Sequence, residues 1–266
     1  MKTMHVRGAE LAYQDHGQGL PLLFVHGHPF DHTMWDPQVD FLASDYRLVV
    51  PDLRGYGRST VPDGTTLLDE VALDLAHCLD HLEIEKAVVC GLSMGGQVAM
   101  EFALLFPDRV LGLVLCDTDA RAETAESRDA RLAMAQRLET EGMAGYVEET
   151  LVDFLHPVTF EKRPAVVEHM RRMMLGAPHL GAARLQRGRA FRRDYIAALG
   201  SVGAPTLVVV GEADAFTPVP TAQQITDAIP AAELLVVPEA GHMPNLEAKT
   251  LFNQALTKLL DRVVGS

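Results

Sequence analysis

The run Gly91-Leu92-Ser93-Met94-Gly95-Gly96 sets one hydroxyl among small residues. It follows an apolar stretch ending at Cys90 and opens a helical pattern that runs to Phe106. Glycines on both sides of Ser93 permit a tight strand-to-helix turn, which would project Oγ from the end of the strand. The helix start behind it would offer backbone N–H groups to a developing anion. A serine at its free pKa is a poor nucleophile and needs a base and an orienting acid. Two downstream loops offer them. Asp214 follows the apolar run Thr206 to Val210, and His242 sits in Pro238-Glu239-Ala240-Gly241-His242-Met243-Pro244 after Leu234 to Val237. Taken singly, Asp214 reads as a helix cap and His242 as a loop residue. Together, each just beyond a strand, they fit acyl-transfer chemistry at a serine.

An oxyanion also needs donors. The Met94 amide directly follows the nucleophile. The loop His26-Gly27-His28-Pro29-Phe30, after Leu22 to Val25, supplies the His28 amide as a second. Pro29 has no N–H, and the His28–Pro29 bond is a candidate for the cis form. His26 reads as a buried brace for this loop, and a metal shared with His32 is the weaker reading. Asp117 and Asp119 follow the strand ending at Cys116 and are the rival positions for the acid.

Other chemistry-bearing residues have plainer readings. His77 and His81 lie four apart on a helix with Asp74 and Asp80, a spacing that could hold a metal, but no third ligand accompanies them. A solvated helix face accounts for them. From Lys162 to Arg193 the chain carries nine cations and one acid, Glu168. Those arginines either hold an acidic core by weak exposed pairs or place one or two guanidiniums in the cleft to clamp a carboxylate. Met170, Met173 and Met174 read as core packing before an acyl pocket.

The elements that must position these residues follow from hydrophobic patterning. Leu22 to Val25, Tyr46 to Val50, Ala87 to Cys90, Val110 to Cys116, Thr206 to Val210 and Leu234 to Val237 are short apolar runs suited to strands covered on both faces. Segments of helical period separate them, which predicts a mostly parallel α/β sheet. Met4 to Val6 and Glu10 to Tyr13, turning at Gly8, predict an antiparallel hairpin at its edge. Residues 120–199 lack strand runs and read as helices near Ser127 to Glu141, Tyr146 to Leu155, Pro164 to Leu175 and Leu180 to Arg189. Gly142, Pro157, Gly176 and Pro178 supply the breaks. The expected organisation is a core of 1–119 and 200–266 with a helical cap, 120–199, inserted in it.

Composition agrees with one globular unit. The 266 residues are 48% hydrophobic and 22% charged, with a net charge of −13. That charge argues against nucleic acid and anionic membranes as partners. Cys78, Cys90 and Cys116 show no metal or disulfide spacing and read as buried thiols in a reducing compartment. With no apolar leader or membrane-length run, the expected location is the cytoplasm.

His26-Gly27-His28-Pro29, the turn Pro51-Asp52-Leu53-Arg54-Gly55-Tyr56-Gly57, Gly91 to Gly96, and the Asp214 and Gly241-His242 loops together resemble the α/β-hydrolase superfamily over nearly the whole chain. Within it the chain looks most like bacterial esterases, cofactor-free haloperoxidase or perhydrolase relatives, and 3-oxoadipate enol-lactonases. The resemblance implies Ser93 as nucleophile, His242 as base and Asp214 as acid, with the amides of His28 and Met94 as oxyanion donors. It implies hydrolysis of a small ester or lactone without cofactor or metal. C–C hydrolysis, perhydrolysis and a ligand-binding receptor are the alternatives. Serine at position 93 argues against the related epoxide hydrolases and haloalkane dehalogenases, which carry aspartate there.

Overall fold

A computed structural model describes residues 1–230 and 232–265. Among these residues eight strands form one sheet: β1 (Lys2–Val6), β2 (Ala9–His16), β3 (Pro21–Val25), β4 (Arg47–Pro51), β5 (Ala87–Leu92), β6 (Val110–Cys116), β7 (Thr206–Gly211) and β8 (Ala232–Val237). Their order is β1-β2-β4-β3-β5-β6-β7-β8. The β1–β2 hairpin is antiparallel and joins β4 in the same sense, and every later pairing is parallel. This is the mostly parallel α/β sheet that the patterning predicts.

The apolar runs lie where continuous hydrophobicity requires. Every residue of β5 and of β7 is buried. The last run differs, because β8 is the sheet edge and most of it is half-buried or exposed. An apolar run by itself does not distinguish a central strand from an edge covered on one side. Cys78, Cys90 and Cys116 are buried free thiols.

Among the described residues twelve α-helices accompany the sheet: α1 (Asp36–Leu42), α2 (Leu68–His81), α3 (Met94–Leu105), α4 (Ala125–Glu141), α5 (Ala144–Phe154), α6 (Pro157–Lys162), α7 (Pro164–Gly176), α8 (His179–Ala190), α9 (Ile196–Leu199), α10 (Val219–Ala228), α11 (Pro244–Glu247) and α12 (Lys249–Val264). Among the described residues none is long and apolar enough to cross a membrane. α3 packs on β3, β5 and β6, while α10 and α12 pack on β7 and β8. Between β6 and β7 run α4 to α9, with α4 against α8 and α7 against α5 and α6. The sequence reading omits two helices there, the single-turn α9 and α6. Pro157, taken as a break, opens it at the first turn, where a missing N–H costs nothing, and His156 Nδ1 accepts from the Val158 amide (3.1 Å). Met170, Met173 and Met174 are buried in the core.

Candidate active site

β5 ends at Leu92 and α3 begins at Met94, so Ser93 alone turns the chain from strand to helix. It does so at φ 56° and ψ −116°, a conformation costing about 1–3 kcal/mol for a residue with a side chain. Bonds on both sides hold it there. The Ser93 amide donates to the Cys116 carbonyl (2.8 Å), and Thr118 Oγ1 donates to the Ser93 carbonyl (2.7 Å). The glycines are required by close approach. A Cβ at Gly91 would lie 2.1 Å from the Gly95 oxygen, and one at Gly95 would lie 2.1 Å from that of Val25.

His26 braces the neighbouring loop, as its burial predicts. Its Nε2 accepts from the Leu53 amide (2.9 Å), and its Nδ1 lies 2.9 Å from the Gly27 oxygen. The His28–Pro29 bond is cis. His28 Nδ1 lies 2.6 Å from Tyr56 Oη. Burial, then the charges of Arg189 and Arg131, push the His28 pKa well below its ordinary value, so the ring is neutral at neutral pH.

On the far side, Asp214 follows β7 and His242 follows β8. His242 Nδ1 lies 2.9 Å from both carboxylate oxygens of Asp214. Asp214 also accepts the amides of Phe216 (2.8 Å) and Thr217 (3.2 Å) and the Thr217 hydroxyl. Burial alone would raise its pKa, but the His242 charge and these donors outweigh burial and hold the carboxyl well below the usual range. The rings of Phe154 and Phe216 stand edge-on to the imidazole, with centroids 5.6 and 5.0 Å away.

The rival acid lies close by. Asp117 Oδ1 accepts the Gly211 amide (2.8 Å), while Oδ2 has no partner among the described residues. One ligating atom from each of Asp117, Asp214 and His242 falls within 4.8 Å of the others. Burial, then the Asp214 charge, push the Asp117 pKa well above the carboxylate range, with the Gly211 amide opposing. Asp119 instead pairs with Arg121 near the surface.

Ser93, His242 and His28 line one cavity of about 610 Å³, whose opposite wall comes from α4, α5 and α8. Among the described residues no hydrogen bond joins Ser93 Oγ to His242, and the two share the cavity wall instead. Sequence reasoning missed Glu247, which ties the His242 loop to the α5–α6 junction. Its Oε2 accepts the His156 amide (2.7 Å) and Thr159 Oγ1 (2.7 Å), and its Oε1 accepts the Gly241 amide (2.8 Å). The adjacent His242 amide donates to the Phe154 carbonyl (2.9 Å). A lone Glu after Asn-Leu reads as a solvated helix acid, so local sequence carries no signal for it.

Two groups among the described residues have metal-ligand spacing: Asp117-Asp214-His242, and Asp31-His32-Asp52. In the second, Asp52 is already occupied, accepting the His32 amide (2.9 Å), the Arg58 amide (2.9 Å) and a contact to His32 Nδ1 (2.7 Å). His77 and His81 belong to neither group, and His77 Nδ1 bonds the Leu73 carbonyl of its own helix. Asp74, on the same helix, faces inward instead and is held by both forks of Arg54.

Residues 21–249 match the family model for the alpha/beta hydrolase fold, and the chain belongs to that family. Its relatives are similarly framed. It is 32% identical over 252 residues to 3-oxoadipate enol-lactonase 1 of Acinetobacter baylyi, covering 93% of this chain and 92% of that protein. Among solved structures it is similar to a thermophilic esterase from Thermogutta terrifontis, described as malate bound, at 41% identity and a TM-score of 0.95. That match covers 98% of this chain and 97% of the esterase. The enol-lactonase from Burkholderia xenovorans LB400 superposes at a TM-score of 0.92 and 26% identity, over 98% of this chain and all of that one.

Proposed function

We propose that the protein hydrolyses small carboxylic esters or lactones through an acyl-enzyme on Ser93. The names of its relatives, esterases and lactonases, support the class, and the chain is a carboxylic ester hydrolase. The observation that carries the mechanism is the His242–Asp214 contact beside a cavity shared with Ser93. His242 takes the Ser93 proton as Oγ attacks the carbonyl, and the amides of His28 and Met94 hold the oxyanion. The imidazole then protonates the leaving alcohol and activates the water that releases the acid. Asp214 fixes the tautomer and stabilises the imidazolium while staying ionised. The buried ring of Phe154 raises the worth of that charge pair by excluding water. Residues 120–199 act as a cap, because α4, α5 and α8 supply the wall facing the nucleophile.

The test is hydrolysis across p-nitrophenyl esters and simple lactones, with Ser93→Ala as the comparison. Turnover should fall by roughly 10⁴- to 10⁶-fold in the variant. A variant within tenfold of wild type ends the serine mechanism. Turnover of ring-fission diketones or peroxide-dependent halogenation in place of ester hydrolysis would move the reaction to C–C cleavage or perhydrolysis.

A further inference from the structure

The arginines between Lys162 and Arg193 differ in their surroundings. Four of the eight meet a carboxylate: Arg184 pairs with Asp63, Arg187 with Glu139, Arg192 with Glu123, and Arg193 with Glu101, while Arg163, Arg171 and Arg172 are half-buried or exposed, where water solvates the charge. Arg189, on α8, has neither. It is 7% exposed and lines the cavity that holds Ser93. Its Nε donates to Gln97 Oε1 (3.1 Å) and its Nη1 lies 3.5 Å from Gln186 Oε1. Both acceptors are neutral, and among the described residues no carboxylate stands within 4.0 Å of the guanidinium. A buried cation without a counter-ion costs several kcal/mol unless something supplies the opposite charge. Burial, and then the Arg131 charge, pull its pKa down to about 9, the direction expected of an uncompensated cation.

The surroundings have the same sign. The cavity wall carries Arg121, Arg131, Arg189 and Arg192 against only Asp119 and Glu123, in a chain whose net charge is −13. Glu123 is shared between Arg131 and Arg192, so it cannot neutralise both. His28 Nε2, from the same wall, is buried and without a partner among the described residues. The Gln97 amide donates to the Ser93 carbonyl (3.1 Å), and Gln97, which holds the guanidinium, lines the same cavity as Ser93.

We propose that Arg189 is the specificity-determining residue of the site and binds a free carboxylate on the acyl chain of the substrate. The preferred substrates are then half-esters or lactones of short dicarboxylic acids. This rests on the hydrolase reading above, and the experiment separates the two.

The probes are mono-p-nitrophenyl adipate and p-nitrophenyl hexanoate, which differ only by carboxylate against methyl at the chain end. The quantity read is the ratio of their kcat/KM values, so any general loss of activity divides out. Wild type should favour the adipate ester, and Arg189→Met should lower the ratio by about 10- to 100-fold, the scale of a hydrogen bond to a charged group. A ratio unchanged within threefold overturns the subsite. If Ser93→Ala abolishes both reactions while Arg189→Met leaves the ratio unchanged, only the subsite fails. If Ser93→Ala leaves both reactions intact, the hydrolase mechanism itself has failed. Should the Met variant not fold, inhibition of the wild-type enzyme decides. Adipate should compete with the hexanoate ester at least about tenfold more tightly than hexanoate does, and equal inhibition overturns the proposal.

Discussion

Asp117 and Asp214, 97 residues apart in sequence, come together in one buried corner beside His242. The two carboxyls are not equivalent. Asp214 holds a salt bridge and three further donors, whereas Asp117 has one backbone donor and a bare oxygen. Two adjacent buried carboxyls do not both ionise, and the one with fewer donors keeps its proton. Asp214 is therefore the charged member and Asp117 the neutral one. Replacing each by its amide separates them. Asp214→Asn should lower kcat by about 10⁴-fold. Asp117→Asn substitutes one neutral hydrogen-bonding group for another and should stay within about tenfold of wild type. Steady-state kinetics on any turned-over ester is the check, and the reverse order moves the acid to position 117.

The same asymmetry predicts a pH dependence of stability. The folded pKa of Asp117 is raised, so between its unfolded value near 4 and its folded value the native state holds a proton that the unfolded chain has lost. The contribution of Asp117 to stability is fully present below pH 4 and falls as pH rises, by up to about 1.4 kcal/mol per unit. Asp117→Asn lacks this titration. Urea unfolding of both proteins from pH 5 to pH 8 should show wild type losing ground to the variant as pH rises. A gap constant across that range would mean that Asp117 ionises in the folded state much as it does unfolded.

Glu247 acts through the His242 loop. Glu247→Ala strands the Gly241 and His156 amides and the Thr159 hydroxyl, each costing about 1–3 kcal/mol where water cannot reach. We expect a total loss of about 2–4 kcal/mol by denaturant unfolding. A fall in kcat should accompany it, because His242 is the next residue after Gly241. Full activity with lowered stability would confine Glu247 to a structural role.

α8 is seated by a backbone contact at its far end. A Cβ at Gly188 would lie 1.7 Å from the Thr66 oxygen, so Gly188→Ala must lift the helix that carries Arg189. Overpacking of this kind costs about 1–3 kcal/mol. Thermal melting should show that loss, and the preference for the adipate ester over the hexanoate ester should shrink with it. A melting temperature equal to wild type would mean that α8 can shift freely.

Much of the scaffold was legible because its signals are local. Buried parallel strands favour short runs rich in Val and Leu, and Val110–Cys116 is one such run. A left-handed serine between strand and helix demands glycines at positions 91 and 95, and those residues stand in the sequence for anyone to see. The loops after β7 and β8 announced Asp214 and His242 by their placement just past strands. The helices of 120–199 came from period and breaks, except α6, whose opening proline also serves as a stop, and α9, a single turn too short to show a period.

What local sequence leaves open is which distant groups meet. Nothing near Asp117 says that Asp214 lies beside it, and nothing near Glu247 says that it closes on the α5–α6 junction. The nine cations from Lys162 to Arg193 look alike as a string, since charge counts report composition and not partners. Only the tertiary arrangement of α8 and the segment after it gave Arg187, Arg192 and Arg193 their carboxylates and left Arg189 with two neutral amides. Burial, desolvation and charge pairing depend on contacts between residues far apart in sequence. The sequence by itself determined the strands of the sheet, the turn at Ser93 and the chemistry available, and the tertiary structure alone decided which carboxyl is charged and which arginine is buried in the cavity without a carboxylate.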